Sequence, residues 1–98
     1  METYFCRLNA PRATFGQDMT ADEMELMRQH AVHWKQSDVW PGVLAFGVVG
    51  DPAGVFGIAV VEAEDRARVQ AVLDSDPVTR SGRGFRWELF PMPFGARP

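Results

Sequence analysis

Two histidines, His30 and His33, are the side chains of this chain best suited to chemistry. They lie in a segment with helical periodicity, and histidine is the side chain that changes protonation state near neutral pH. His30 lies one helical step off an apolar stripe, where its ring could border the core and still reach a cleft as a general acid or base. From the residues alone, a boundary histidine bonded to a backbone carbonyl is the commoner case.

His33 points further toward solvent by helical geometry, which favours a surface role. The two histidines could bind a metal from one helix face, but no third ligand follows at a recognisable spacing, so we predict no metal and no cofactor. Cys6 is the single cysteine and alternates with apolar residues. We interpret it as a buried apolar filler and not as a nucleophile.

The candidate partners of a catalytic histidine are two aspartates, Asp51 and Asp76. Asp51 opens the Asp-Pro-Ala-Gly segment 51–54, where a type I turn accounts for an aspartate at the first position. Asp76 precedes Pro77 at the end of a predicted helix, where a structural role again suffices. The residue types alone therefore do not choose between the two carboxylates.

Four strands are predicted from short apolar or alternating segments bounded by turn residues. In the first strand Tyr4, Cys6 and Leu8 point to one side. The second and third are apolar throughout and flank the predicted turn, so they form an antiparallel hairpin. The predicted strands are residues 3–8, 43–49, 55–61 and 85–91.

Two helices are predicted between these strands, with a loop over residues 9–19 before the first. Thr20 and Glu23 form a capping box at the start of the first helix, which should end near Ser37. Its apolar stripe consists of Met24, Met27, Ala31 and Trp34. The second helix spans residues 64–74, and Pro77 should end it.

The element order β-α-β-β-α-β predicts a ferredoxin-like α+β domain over residues 1–93, with two helices on one face of an antiparallel four-stranded sheet. Residues 94–98 are expected to form a loose tail. The hairpin strands lack polar alternation, which indicates that the sheet face away from the helices is also covered. A second copy of the chain would cover it in a homodimer. The alternative is that the tail folds over that face.

Composition excludes several classes of partner. The formal net charge is −3, and ten scattered Lys and Arg residues are outnumbered by thirteen acidic ones. A nucleic-acid binder needs clustered cations, so we expect neither nucleic acid nor an anionic membrane as a partner. The longest apolar run, residues 43–49, is far too short for a membrane span. The N-terminal residues do not resemble a signal peptide, and a single cysteine suits a reducing compartment, so we expect a cytoplasmic location.

Four segments resemble, in order and spacing, the blocks of the YCII-related family. They read HAVHWK at residues 30–35, VLAFGVVGDPAG at 43–54, DSDP at 74–77 and WELFPMP at 87–93. The resemblance covers about residues 20–93. It implies a dimeric α+β barrel built from ferredoxin-like units.

The same resemblance implies proton-transfer chemistry on small ring-derived acids, as in lactone isomerisation or elimination of chloride. It also implies an active-site pair of a helix histidine and an aspartate. The histidine corresponds to His30, and the aspartate to Asp51 or to Asp76 in the Asp-Pro motif. We therefore expect a small-molecule enzyme of lyase or isomerase type, acting on a small carboxylate or enol.

In this hypothesis His30 is the acid or base, an aspartate orients it, and aromatic side chains line the pocket. The residues expected to line it are Trp34, Phe46, Phe56 and Trp87. The alternative is a non-catalytic dimer that binds a metabolite or a protein partner. The sequence contains nothing that separates these two functions.

Overall fold

The sheet has four antiparallel strands in the order β2-β3-β1-β4, in a computed structural model that describes residues 1–96. The strands are β1 (Glu2–Asn9), β2 (Val43–Val49), β3 (Phe56–Ala63) and β4 (Arg86–Pro91). The α+β class and the antiparallel sheet are confirmed, and the strand order is compatible with a ferredoxin-like fold. The last two residues of the predicted tail, 97 and 98, lie outside the described residues.

Four helices accompany the sheet: α1 (Phe15–Asp18), α2 (Ala21–Lys35), α3 (Arg66–Ser75) and α4 (Pro77–Arg80), with a 3₁₀ turn at Trp40–Gly42. Helix α1 lies in the segment predicted as a loop. The sequence did not indicate this helix because four residues are too few to show a periodic apolar pattern. Within residues 1–96 no helix is long and apolar enough to cross a membrane.

The core lies between one face of the sheet and the two long helices. Tyr4, Cys6 and Leu8 are buried, as their alternation predicted. Tyr4 and Cys6 pack with Val61 of β3 and with residues of α2 and α3, so both helices cover the same sheet face. The helix residues are Trp34, Val69, Val72 and Leu73. The opposite face of the sheet carries Phe5 and Phe90.

The buried stripe of α2 differs from the predicted one. Met24 was expected to pack inward but is 59% exposed, whereas Glu23 is only 6% exposed. Met27, Ala31 and Trp34 face inward as predicted, and residues 23 and 30 lie on the same side of the helix. The apolar pattern missed these two positions because both residues are polar, and one of them is His30.

Glu23 tolerates burial because its carboxylate is fully bonded. Both terminal nitrogens of Arg12 donate to it at 2.8 Å, and the backbone N–H of Thr20 donates at 2.9 Å, which completes the predicted capping box. Arg12 also donates to the Asp18 carboxylate at 2.8 Å. These bonds tie the segment between β1 and α2 to the first turn of α2.

The Glu23 contacts predict a pH dependence of stability. The Arg12 hydrogen bonds, followed by that of the Thr20 amide, lower the pKa of Glu23 from 4.5 to about 2. A carboxyl with a lower pKa in the folded state stabilises above its unfolded pKa and loses that contribution as pH falls. We expect the melting temperature of the wild type to fall more steeply than that of Glu23→Gln between pH 4.5 and 2.

Glu25→Gln is the matched control for this measurement. Glu25 pairs with Arg28 three residues away, but both side chains are largely exposed. An exposed pair contributes little to stability. We therefore expect the melting temperature of Glu25→Gln to change with pH as that of the wild type does. If the melting temperatures of the wild type and Glu23→Gln fell equally with pH, the Arg12–Glu23 pair would not stabilise the fold.

Candidate active site

His30 and Asp76 meet inside the protein although 46 residues separate them in the chain. His30 Nδ1 lies 2.6 Å from Asp76 Oδ2, and the two side chains are 12% and 0% exposed. Helix α2 carries the histidine on its inward stripe. Asp76 lies between α3 and α4, where it is the N-cap of α4 and Pro77 is the first residue of that helix. Pro77 therefore follows the end of α3, as predicted, but begins a further helix.

The buried Asp76 carboxylate is satisfied by three donors. Oδ2 accepts the indole N–H of Trp34 at 2.8 Å as well as the bond to His30, and Oδ1 accepts the backbone N–H of Val78 at 3.1 Å. A buried carboxylate without such partners would be strongly destabilising. The three donors therefore hold the carboxylate in one place beside the histidine ring.

This arrangement assigns the tautomer of His30. Because Asp76 Oδ2 is the acceptor of the indole N–H, the proton of the shared bond lies on His30 Nδ1. His30 Nε2 then carries the free lone pair, and within residues 1–96 it is neither bonded to the protein nor sealed from solvent. A histidine oriented by a carboxylate through Nδ1 and free at Nε2 has the geometry of a general base.

His30 borders a cavity of about 440 Å³ between α1, α2 and the hairpin. Of the residues expected to line a pocket, Phe46, Phe56 and Trp87 do so. Trp34 does not line it. It is fully buried behind the cavity wall, with its ring 5.5 Å from that of Phe46, because its indole N–H is drawn to Asp76.

Several lining residues were not recognised in the sequence. Phe15 of α1 and Phe85 meet edge to face, with ring centroids 5.3 Å apart, at one part of the wall. Gly57 of β3 lies against Leu8, which a Cβ at position 57 would approach to 3.3 Å. The Arg12 guanidinium lies 5.5 Å over the Phe15 ring, a contact that leaves no pattern in the sequence.

Asp51 remains in the hairpin turn. Its backbone C=O accepts the N–H of Gly54 at 2.9 Å, and its carboxylate accepts the N–H of Ala53 at 2.8 Å, as the turn interpretation predicted. Within residues 1–96 no contact joins Asp51 to His30. The structure thus brings His30 together with Asp76 and not with Asp51.

His33 has a different environment from His30. It is half-buried, and its Nε2 donates to the backbone C=O of Val72 at 2.9 Å, outside the cavity.

Burial raises the pKa of the Cys6 thiol to about 12, which opposes a nucleophilic role. Among the described residues no three His, Cys, Asp or Glu side chains converge in a way that could hold a metal ion.

Comparison with known proteins adds no relative: no family model matches the chain, and no curated protein matches it.

Two tryptophans provide a matched test of the Asp76 contacts. Trp34→Phe removes a donor from a buried carboxylate, and a hydrogen bond to a charged group contributes about 1.5–3 kcal/mol. Trp87 Nε1 is buried and has no hydrogen-bond partner within residues 1–96, so Trp87→Phe removes an N–H that bonds nothing. We expect Trp34→Phe to lower the free energy of unfolding more than Trp87→Phe in urea denaturation. Equal losses would mean that the Trp34–Asp76 bond contributes nothing to stability.

Proposed function

We propose that this protein is a small-molecule enzyme in which His30 transfers a proton to and from a substrate bound in the apolar cavity. One observation carries the proposal. His30 is fixed through Nδ1 by a buried carboxylate, and its free Nε2 belongs to a residue that lines a cavity of about 440 Å³. Cavities of this size and apolar character are typical of small-molecule sites.

The chemistry that fits this pair is proton transfer on a small carboxylate or enol. Neutral His30 takes a proton from a carbon next to a carbonyl group, or from an enol hydroxyl, at Nε2. Asp76 then stabilises the imidazolium through Nδ1. Return of the proton to another carbon gives isomerisation, and departure of a leaving group from the resulting carbanion gives elimination. Both reactions are of the isomerase or lyase type.

The YCII-related family remains part of this proposal. The resemblance implied ferredoxin-like units and a histidine–aspartate pair. The strand order β2-β3-β1-β4 and the contact between His30 and Asp76 both support it. A cytoplasmic location belongs to the same proposal, and the single, buried cysteine supports it.

We extend the proposal to a homodimer formed through the sheet face that the helices leave open. Phe5, Val60 and Phe90 form an apolar patch on that face, with the ring centroids of the two phenylalanines 6.4 Å apart, and Arg7 and Glu88 lie on the same face. Phe90 is 46% exposed. A second copy packed on this patch would bury it and would account for hairpin strands that are apolar on both sides.

Light scattering after size-exclusion chromatography tests the dimer. We expect twice the chain mass for the wild type and the single-chain mass for Phe90→Glu, because a charge in the interface would be buried without a partner. Val32→Glu, on the exposed side of α2, should leave the mass of the dimer unchanged. A wild type that elutes with the mass of one chain would contradict the dimer.

A thermal-shift screen tests the catalytic proposal. The ligands are small carboxylates, lactones and enols, and a ligand at about a hundredfold its dissociation constant stabilises by roughly 2.7 kcal/mol. Each ligand that binds is then followed by NMR in D₂O for exchange of its acidic C–H. We expect the wild type to catalyse exchange and His30→Gln to lose it, because the amide can still donate to Asp76 but cannot accept a proton.

His33→Gln is the control, since His33 is on the same helix and bonds only to groups outside the cavity. It should catalyse exchange like the wild type. Exchange that persists in His30→Gln would exclude His30 as the base. Ligands that bind the wild type without any exchange would favour a non-catalytic metabolite-binding domain.

A further inference from the structure

The side chains that line the cavity carry almost no charge. Within residues 1–96 not one of the lining residues is Asp, Glu, Lys or Arg, and His30 is the only ionisable side chain among them. Protein sites for carboxylates ordinarily supply an arginine or several N–H donors. The lining side chains of this cavity include no arginine, and the N–H groups among them are those of the His30 imidazole and of the Trp87 indole, whose Nε1 has no partner within residues 1–96.

Two arginines touch lining rings from outside the cavity, and carboxylates hold both of them. Arg7 lies over the Phe56 ring at 3.9 Å and is 4.0 Å from Glu88. Arg12 lies over the Phe15 ring and is bonded to Asp18 and Glu23. The charge of Arg12 is therefore compensated by two carboxylates, and that of Arg7 is partly compensated by Glu88.

Asp76 makes the site still less favourable for an anion. With His30 neutral, the pair carries one negative charge, and with His30 protonated the pair is neutral overall, because the two groups are 2.6 Å apart. A carboxylate entering the cavity would lose its hydration without meeting net positive charge. The cavity thus disfavours carboxylate ligands by both desolvation and repulsion.

A weakly acidic hydroxyl group avoids this penalty. It enters uncharged and donates its O–H to the free Nε2 of His30. If the proton moves, the O–H bond breaks and an N–H bond forms at Nε2, with the electron pair left on the oxygen. The oxyanion then lies beside the imidazolium, and the total charge of ligand, His30 and Asp76 stays at one negative charge throughout.

The walls of the cavity suit a flat ring. The centroid of the His30 imidazole lies 5.5 Å from that of the Phe46 ring and 5.9 Å from that of the Trp87 ring, with interplanar angles of 31° and 41°. Phe15 and Phe85 add a second aromatic pair to the wall. Aromatic groups pack with one another at these centroid distances in offset or edge-to-face geometry.

We propose that the cavity takes an uncharged, planar, unsaturated molecule whose phenolic or enolic hydroxyl binds His30 Nε2, and that it discriminates against carboxylates. The inference rests on the proposed function and narrows its substrate class from small carboxylates or enols to uncharged enols and phenols. The charge pattern of the lining, and not the presence of a base alone, carries it.

Three probes of one shape test this inference by isothermal titration on the wild-type protein. At pH 7, 2-naphthol is neutral with an O–H, 2-methoxynaphthalene is neutral without one, and 2-naphthoate is an anion. We expect 2-naphthol to bind about tenfold tighter than either of the others. In His30→Gln the advantage of 2-naphthol over 2-methoxynaphthalene should shrink, while His33→Gln should keep it.

The comparison on the wild type decides the matter even if a His30 variant folds poorly. Binding of 2-naphthoate as tight as that of 2-naphthol, or no binding of any probe, would overturn the inference. Selective binding of 2-naphthol supports it whether or not any ligand undergoes proton exchange. Failure of the proposed catalysis is therefore distinguishable from failure of the ligand class.

Discussion

A carboxylate with no access to water connects the main parts of this protein around the candidate site. Asp76 directly follows α3 and is the N-cap of α4. Its carboxylate accepts hydrogen bonds from two residues of α2, His30 and Trp34. Each of these bonds compensates part of the cost of burying the charge. Because the bonds share one carboxylate, they tie α2, the end of α3 and the short helix α4 to one another. The orientation of the His30 ring is a consequence of those bonds.

Aromatic side chains also restrict the orientation of the His30 ring. Phe46 and Trp87, from strands at opposite edges of the sheet, lie on either side of the aromatic cluster that includes Trp34 and contact the His30 ring. They restrict the imidazole while leaving Nε2 toward an apolar cavity. The site therefore combines one polar atom with walls that contribute shape and a low dielectric environment, in which a proton transfer without net charge change is favoured over the binding of an anion.

The cavity also depends on a segment that has little intrinsic structure. Helix α1 is only four residues long, and Arg12 holds its surroundings through Asp18 and Glu23. The capping box at Thr20 was predictable, since its spacing is local. The second use of Glu23, as the acceptor for Arg12, was not, because a pairing across eleven residues leaves no periodic signal. Phe15 could not be recognised as a wall residue for the same reason.

The sequence by itself determined the strands, the two long helices, the hairpin turn at Asp51 and the inward side of β1, because these follow from apolar periods, caps and turn residues that act over a few positions. It also identified His30 and offered two aspartates as partners. Only the tertiary structure decided between them. Asp76 reaches His30 because α2 and the α3–α4 junction pack on the same sheet face, whereas Asp51 satisfies its own turn. Likewise, the inward stripe of α2 contains Glu23 and His30 because partners from distant segments compensate their polarity, and no local pattern encodes those partners.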